Sequence, residues 1–209
     1  MISSFKNVLV LAPHTDDGEL GAGATISKLV ENGAKVTYVA FSIAEESVPE
    51  GLPKNILEVE VNEATKRLGV HKLIVFKYPV RKLNFFRQDI LENIIQIRKK
   101  MKYDLVLIPS LKDVHQDHNT IAQEGLRAFK NTTIFGYELI WNNLAFDTQC
   151  FVKLDKKHVE NKVNALKAYK SQGFRSYLSE DFIFSLARTR GVQIGAEYAE
   201  AFEVIRLVI

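Results

Sequence analysis

Short apolar runs alternate with segments of helical periodicity along the first two-thirds of the chain. The apolar runs favour β-strands, and they span residues 7–12, 35–41, 72–76, 104–108 and 133–138. The first four are nearly all apolar, which is typical of strands buried on both faces of a parallel sheet. The segments between them carry apolar residues at helical spacing over 18–31, 56–68, 88–102 and 117–129. This order predicts a Rossmann-like α/β fold, with a mostly parallel sheet and helices on both faces.

The last third of the chain is less regular. The pattern predicts strands at 151–154 and 201–205 and a helix at 156–170, whereas 173–197 shows no clear period. Internal repeats, low-complexity stretches and linkers rich in Gly, Ser or Pro are all missing from the sequence. We therefore expect residues 1–209 to form a single domain, long enough to bury a sizeable core.

Composition narrows the classes of function. The net charge of +3 is only mildly basic, and no Lys/Arg run is interleaved with aromatic residues, so a nucleic-acid surface is not expected. The first apolar run, 8–13, is too short for a membrane span or a signal-peptide core. Cys150 is the only cysteine, which excludes an internal disulfide and favours a cytoplasmic protein. We expect its thiol to be a small buried hydrophobe. The sequence leaves homo-oligomerisation open.

Two polar clusters follow the carboxyl ends of predicted strands. The first is Pro13-His14-Thr15-Asp16-Asp17-Gly18-Glu19, and the second is His115-Gln116-Asp117-His118. Together they contain three of the five histidines in the chain. Ligands of open α/β sheets bind at the carboxyl ends of the strands. We therefore expect the two clusters to converge on one site.

The residue types in these clusters are those of a catalytic zinc site. Such a site has three imidazole or carboxylate ligands and one open position. His14 and Asp17 are three residues apart at a helix start, so both could point at one ion, and His118 would add the third ligand from the other loop. Asp16 is then left over beside the ligands, where a general base for a metal-activated water is needed.

Plainer explanations exist for each residue alone. Asp16 or Asp17 could cap the helix that begins near Gly18, and a single histidine is more often a surface residue than a ligand. Capping, however, explains one carboxylate and not two carboxylates preceded by a histidine. The combination favours the metal site.

A nucleotide-binding loop is the main rival explanation. Gly18, Gly21 and Gly23 follow the first strand, but their order differs from G-x-G-x-x-G. The charges of Asp16 and Asp17 would also repel a pyrophosphate at this helix start. We expect Gly21 and Gly23 to permit close packing of the first helix on the sheet instead.

At these residues the sequence resembles the LmbE-like, or PIG-L, N-deacetylases. Their first motif is A-H-P-D-D-E and their second is H-x-D-H, which correspond here to 13–18 and 115–118. Ser171-Gln172 and the stretch from Ala187-Arg188 to Phe202 resemble later motifs, so the similarity covers essentially the whole chain. Thr15 stands in place of the usual proline and Gly18 in place of the usual glutamate, although Glu19 follows at once.

The resemblance implies a role for each motif residue. It makes zinc the cofactor, although Fe²⁺ or another divalent ion could use the same nitrogen and oxygen ligands. It makes Asp16 the general base and His115 the histidine that stabilises the oxyanion. It makes Asp117 a carboxylate that orients a histidine. The three metal ligands that it implies are His14, Asp17 and His118.

The resemblance also implies the substrate, an N-acyl amino sugar such as an N-acetylglucosamine derivative. Arg81 is a candidate substrate-binding residue, and Arg87, Trp141 and Asn142 lie in or near loops at the same sheet edge. Two alternatives remain open. The chain could hydrolyse a non-sugar amide, or it could be a metal- or sugar-binding module without catalysis, although it retains both Asp16 and His115.

Overall fold

A seven-stranded sheet runs through the protein, and the computed structural model describes residues 2–208. The sheet order is β3-β2-β1-β4-β5-β7-β6. Strands β1 to β5 are parallel, whereas β7 pairs antiparallel with both β5 and β6. The strands are β1 (Asn7–Ala12), β2 (Lys35–Ala40), β3 (Lys72–Val75), β4 (Leu105–Pro109), β5 (Thr133–Tyr137), β6 (Cys150–Leu154) and β7 (Tyr198–Arg206). The predicted mostly parallel α/β fold is confirmed.

Helices cover both faces of this sheet and enclose two apolar cores. Along β1, Val8 and Val10 point into the core under α1, α2, α5 and α6, while Leu9 and Leu11 point into the core under α3 and α4. The helices are α1 (Asp17–Glu31), α2 (Ile56–Arg67), α3 (Arg87–Lys100), α4 (Gln116–Ala128), α5 (Lys156–Leu166) and α6 (Glu180–Val192). None of these helices, within residues 2–208, is long and apolar enough to cross a membrane.

The predicted boundaries hold within a few residues except in the last third. Helix α5 ends at Leu166 rather than residue 170, and α6 occupies part of the stretch in which the sequence shows no clear period. That period is obscured because α6 carries apolar residues on several sides: Ile183 is buried, whereas Val192 is 67% exposed. Cys150 in β6 is half-buried against the first core, and burial raises the pKa of its thiol.

The glycines of α1 make different contacts from one another. A Cβ on Gly21 would lie 2.2 Å from the ring of Tyr137 in β5, so this glycine does permit close packing on the sheet. A Cβ on Gly23 would instead meet the stem of Lys162 in α5, at 2.9 Å. The prediction is confirmed for Gly21, whereas Gly23 makes room for a neighbouring helix and not for the sheet.

Candidate active site

The two polar clusters meet at the point where the strand order reverses. Strands β1 and β4 are neighbours in the sheet, although β2 and β3 separate them in the chain. The loop after β1 leads into α1, and the loop after β4 leads into α4. Parallel strands on either side of such a reversal leave a crevice at their carboxyl ends, which is the usual ligand site of this architecture.

Three donor atoms converge at the bottom of this crevice. His14 Nδ1 lies 3.1 Å from Asp17 Oδ2 and 3.2 Å from His118 Nε2, and the latter two atoms are 3.3 Å apart. A tetrahedral zinc ion with bonds of 2.0–2.1 Å has ligand–ligand edges of about 3.3 Å. The triangle therefore matches one face of such a tetrahedron. A second possible set of metal ligands leaves out Asp17. His14, His115 and His118 each offer one ring nitrogen, and these three atoms all lie within 4.8 Å of one another.

A carboxylate supports each of the two converging histidines from behind. Asp117 Oδ2 lies 3.0 Å from His14 Nε2, and Asp113 Oδ2 lies 2.7 Å from His118 Nδ1. Carboxylates in these positions fix the ring orientation of metal-binding histidines and raise their basicity. Asp113 was not among the residues expected from the sequence, although it lies in the loop before α4 and precedes His118 by only five positions.

Opposite charges are packed closely in this cluster. Burial lowers the pKa of His14 and of His118, but Asp17 and the supporting carboxylates outweigh that effect and raise the two values to about 9 and about 10. Burial raises the pKa of Asp17, but the two histidines hold it well below its usual range. Positive charge on the imidazoles of His14 and His118 balances the buried carboxylates. A bound cation could provide the same balance.

Asp16 differs from Asp17 because no hydrogen bond engages its carboxylate as a helix cap. It occupies the N-cap position of α1, yet its side chain lines the cavity above the three donor atoms. Burial, together with the charge of Asp17, raises the pKa of Asp16 to about 6. The capping explanation is therefore wrong for Asp16, and its carboxyl group remains available for proton transfer.

His115 caps α4 and faces the same cavity. Its Nδ1 accepts the backbone N–H of Asp117 at 3.2 Å, which leaves the proton of the neutral ring on Nε2. The ring stacks on His118 with centroids 4.5 Å apart. Burial and the two neighbouring histidines lower the pKa of His115, which favours its neutral form. A neutral imidazole in this tautomer is a hydrogen-bond donor at Nε2.

A buried network holds the first loop from below. The Thr15 carbonyl accepts from the hydroxyls of Tyr38, at 2.9 Å, and Tyr169, at 2.7 Å, and both hydroxyls also contact the carboxyl of Glu19. Glu19 is fully buried and lines no part of the cavity. A Cβ on Gly18 would lie 2.5 Å from the Tyr38 ring, which explains why glycine occupies this position. Sequence reasoning missed this network because its tyrosines are distant in the chain.

The cavity above these groups has a volume of about 360 Å³. We call His14, Asp16, Asp17, His115 and His118 its floor, and Trp141, Arg175 and Tyr177 its wall. In the wall, the Trp141 and Tyr177 rings stack with centroids 4.2 Å apart and an interplanar angle of 13°. Asn142 lines the cavity beside Trp141, and its Nδ2 lies 3.4 Å from His118 Nδ1. The sequence pointed to Trp141 and Asn142, but nothing in it singled out Arg175 or Tyr177.

The two other arginines named from the sequence have separate surroundings. Arg81 lines the cavity, but its guanidinium pairs with Glu46 at 3.2 Å, and its backbone N–H donates to Asp117 Oδ2 at 2.5 Å. Its φ of +65° is unusual for a side-chain-bearing residue, and such strain is common near functional sites. Arg87 does not line this cavity and pairs with the buried Glu124 at 2.6 Å.

Known proteins resemble this chain in sequence. The family model described as PIG-L, GlcNAc-PI de-N-acetylase, matches residues 9–129, which is more than half of the chain. A relative in Escherichia coli, "Uncharacterized deacetylase YaiS", is 27% identical over 172 residues, which cover 79% of this chain and 91% of that protein.

Solved structures share the fold at lower identity. The N,N'-diacetylchitobiose deacetylase from Pyrococcus horikoshii, in complex with the inhibitor MPG, has a TM-score of 0.81 and 24% identity, over 98% of this chain and 85% of that one. GalB of Pseudomonas putida, a 4-carboxy-2-hydroxymuconate hydratase, has the same TM-score at 18% identity, over 98% of each chain. Because one fold serves both a deacetylase and a hydratase, the reaction has to be argued from the residues of the site.

Proposed function

The chain belongs to the PIG-L de-N-acetylase family, and from this premise we propose that it hydrolyses the N-acyl group, typically acetyl, of an amino-sugar derivative with the help of a divalent metal ion. The expected ion is zinc. The observation that carries the proposal is the convergence of His14, Asp17 and His118 within 3.3 Å of one another, in a cavity that also exposes Asp16 and His115. A cytoplasmic location remains a prediction from the single cysteine.

The donor set fits the proposed ion. Two imidazoles and one carboxylate are common ligands of catalytic zinc, and Asp117 and Asp113 orient the two rings. All three donor residues line the cavity, which would give water and substrate access to an ion held there. When bound, the ion supplies Lewis-acid chemistry, because it lowers the pKa of water and polarises a carbonyl group.

Asp16 is proposed to carry the proton. Its carboxylate is not committed to a helix cap and faces the cavity, so it can accept a proton from the attacking water. The new C–O bond forms at the acyl carbon. As the C–N bond then breaks, the same carboxyl returns the proton to the leaving amine. Its pKa of about 6 suits both directions of transfer better than an ordinary aspartate would.

His115 is proposed to stabilise the negative charge that develops on the acyl oxygen. Its Nδ1 is occupied by the backbone N–H of Asp117, so the ring presents Nε2–H as a fixed donor. A donor held in place before the reaction costs little reorganisation in the transition state. We therefore propose that Asp16 rather than His115 returns the proton, because a neutral histidine would first have to gain a proton to act as an acid.

Acetate release tests this function. Metal-loaded protein should release acetate from a panel of N-acetylglucosaminides and more slowly, or not at all, from acetylated peptides. Release from peptides alone would favour the non-sugar amide hydrolase. Absence of release from every compound, by protein that binds zinc in a one-to-one ratio, would contradict the proposed function and favour a non-catalytic metal-binding module.

A further inference from the structure

One cation in the cavity wall makes no direct ion pair. Arg175 lines the cavity, yet within residues 2–208 no carboxylate oxygen lies within 4.0 Å of its guanidinium. The other arginine of the cavity, Arg81, is paired with Glu46. The charge of Arg175 acts at longer range on the Asp16 carboxyl, but the two groups form no ion pair. A guanidinium without a direct ion pair is suited to an anion that arrives with the ligand, because it binds carboxylate or phosphate through two parallel hydrogen bonds.

Neutral groups hold the Arg175 guanidinium in place. Its Nε donates to Gln172 Oε1 at 2.6 Å, and its Nη1 donates to Tyr177 Oη at 2.6 Å. These two bonds fix the guanidinium without neutralising its charge. Of its five N–H groups, three remain after these two contacts, which is enough for a two-pronged contact with an anion.

The support for Arg175 continues into the protein interior. Gln172 is buried, and the preceding residue, Ser171, is held by Glu60 through its backbone N–H at 2.8 Å and its hydroxyl at 2.6 Å. On the other side, Tyr177 stacks on Trp141. The guanidinium is thus anchored on both sides before any ligand binds, and such preorganisation reduces the entropy lost on binding.

We propose that Arg175, backed by Tyr177 and Trp141, forms a binding site for an anionic group attached to the amino sugar, either a carboxylate or a phosphate. This inference rests on the proposed deacetylase function. It deepens that function by making anionic N-acyl amino sugars the preferred substrates over neutral ones. The stacked rings provide an apolar surface beside the charge, on which a sugar ring or its substituent can pack.

Matched substrates test the proposal. One pair is N-acetylglucosamine 1-phosphate and methyl N-acetylglucosaminide; the other is an N-acetylglucosaminide with a carboxylate substituent and its methyl ester. For the wild-type protein we expect a KM roughly 10- to 100-fold lower for the anionic member of at least one pair, as for a charged hydrogen-bonded contact. The pair with the larger ratio identifies phosphate or carboxylate as the preferred anion.

Variants of Arg175 separate binding from a merely structural role. Arg175→Gln should abolish the preference by raising KM for the anionic substrate about 10- to 100-fold more than KM for its neutral partner, because only the anionic substrate loses a charged contact. Arg175→Lys should restore part of the preference. Arg188→Gln is the matched control, since Arg188 lies outside the cavity beside Glu197. A structural role predicts equal losses for both members of a pair.

Binding of the deacetylated products gives a second measurement that needs no turnover. Calorimetric titration should show glucosamine 1-phosphate, or the carboxylate product, binding at least about tenfold more tightly than its neutral counterpart, and only when Arg175 is present. Acetate release without anion preference would overturn this inference and leave the proposed function intact. Arg175-dependent binding without acetate release would support the anion site and contradict the proposed function. Equal binding of charged and neutral products would overturn the inference in either case.

Discussion

The floor and the wall of the cavity are built in different ways. Floor residues lie at the carboxyl ends of β1 and β4 and in the first turns of α1 and α4, where the regular fold fixes their backbone. The wall comes from irregular segments, with Trp141 before β6 and Arg175 between α5 and α6. His118 is 2% exposed, whereas Trp141 is 39% exposed.

This difference is consistent with the separate tasks proposed for the two regions. Residues that move protons or hold an ion have to be placed within a fraction of an ångström, and rigid elements with supporting hydrogen bonds provide that accuracy. Residues that select a substrate can tolerate looser placement, and loops change more readily than the elements they connect. Floor substitutions should therefore lower kcat or metal content, whereas wall substitutions should mainly change KM.

The largest effect should come from removing a proposed metal ligand. His14→Ala and His118→Ala each take away one corner of the donor triangle, so the purified variants should lose most of the bound metal and nearly all activity. Elemental analysis and acetate release on the same samples measure both. His71→Ala is the matched control because His71 is exposed and lies outside the cavity. Unchanged metal content in both ligand variants would rule out this site.

A large fall in kcat is also expected from the loss of the proposed oxyanion donor. His115→Ala should lower kcat by roughly 10² to 10³ with little change in metal content, because the proposal places His115 at the transition state and not among the metal ligands. Steady-state kinetics with metal analysis checks this. A parallel loss of metal would instead support the alternative grouping of the three histidines around the ion.

A smaller effect is expected from the support behind His118. Asp113→Asn weakens the carboxylate contact of 2.7 Å to the His118 ring and should reduce metal affinity about 10- to 100-fold. Competition with a chelator measures this affinity. Asp147→Asn is the control, since the Asp147 side chain forms an exposed pair with Lys112 outside the cavity. Equal affinities in the two variants would show that Asp113 does not tune the site.

The smallest effect tests the wall. Trp141→Ala removes the stacking partner of Tyr177, and aromatic contacts of this kind are worth about 0.5–1.5 kcal/mol. KM should therefore rise roughly 2- to 10-fold while kcat stays close to that of the wild type. Leu144→Ala, at a residue that is 90% exposed, should change neither. A large fall in kcat for Trp141→Ala would break the division between floor and wall.

The floor could be anticipated from the sequence for a physical reason. Buried parallel strands are continuous apolar runs, so a polar cluster directly after one, such as His14 to Asp17, is conspicuous and its place in the fold is known. The same reasoning located His115 and His118. Asp113 escaped notice because a single aspartate in a loop has many ordinary uses.

The wall could not be anticipated in the same way. Arg175 lies in a segment without periodicity, and its place in the cavity depends on Gln172, on the Glu60 contact to Ser171, and on the stack between Tyr177 and Trp141. These are long-range contacts that no local pattern encodes. The tyrosines that hold Thr15 from below are equally remote in sequence.

The central claim is that the floor performs the chemistry with Asp16 as its proton carrier, and Asp16→Asn tests it most directly. The change preserves shape, and because the Asp16 carboxylate makes no cap hydrogen bond, the thermal midpoint and the metal content should match the wild type. With both verified on one preparation, kcat should fall by about 10² to 10⁴, the usual contribution of general acid–base catalysis. Turnover close to that of the wild type in metal-loaded Asp16→Asn would contradict the account.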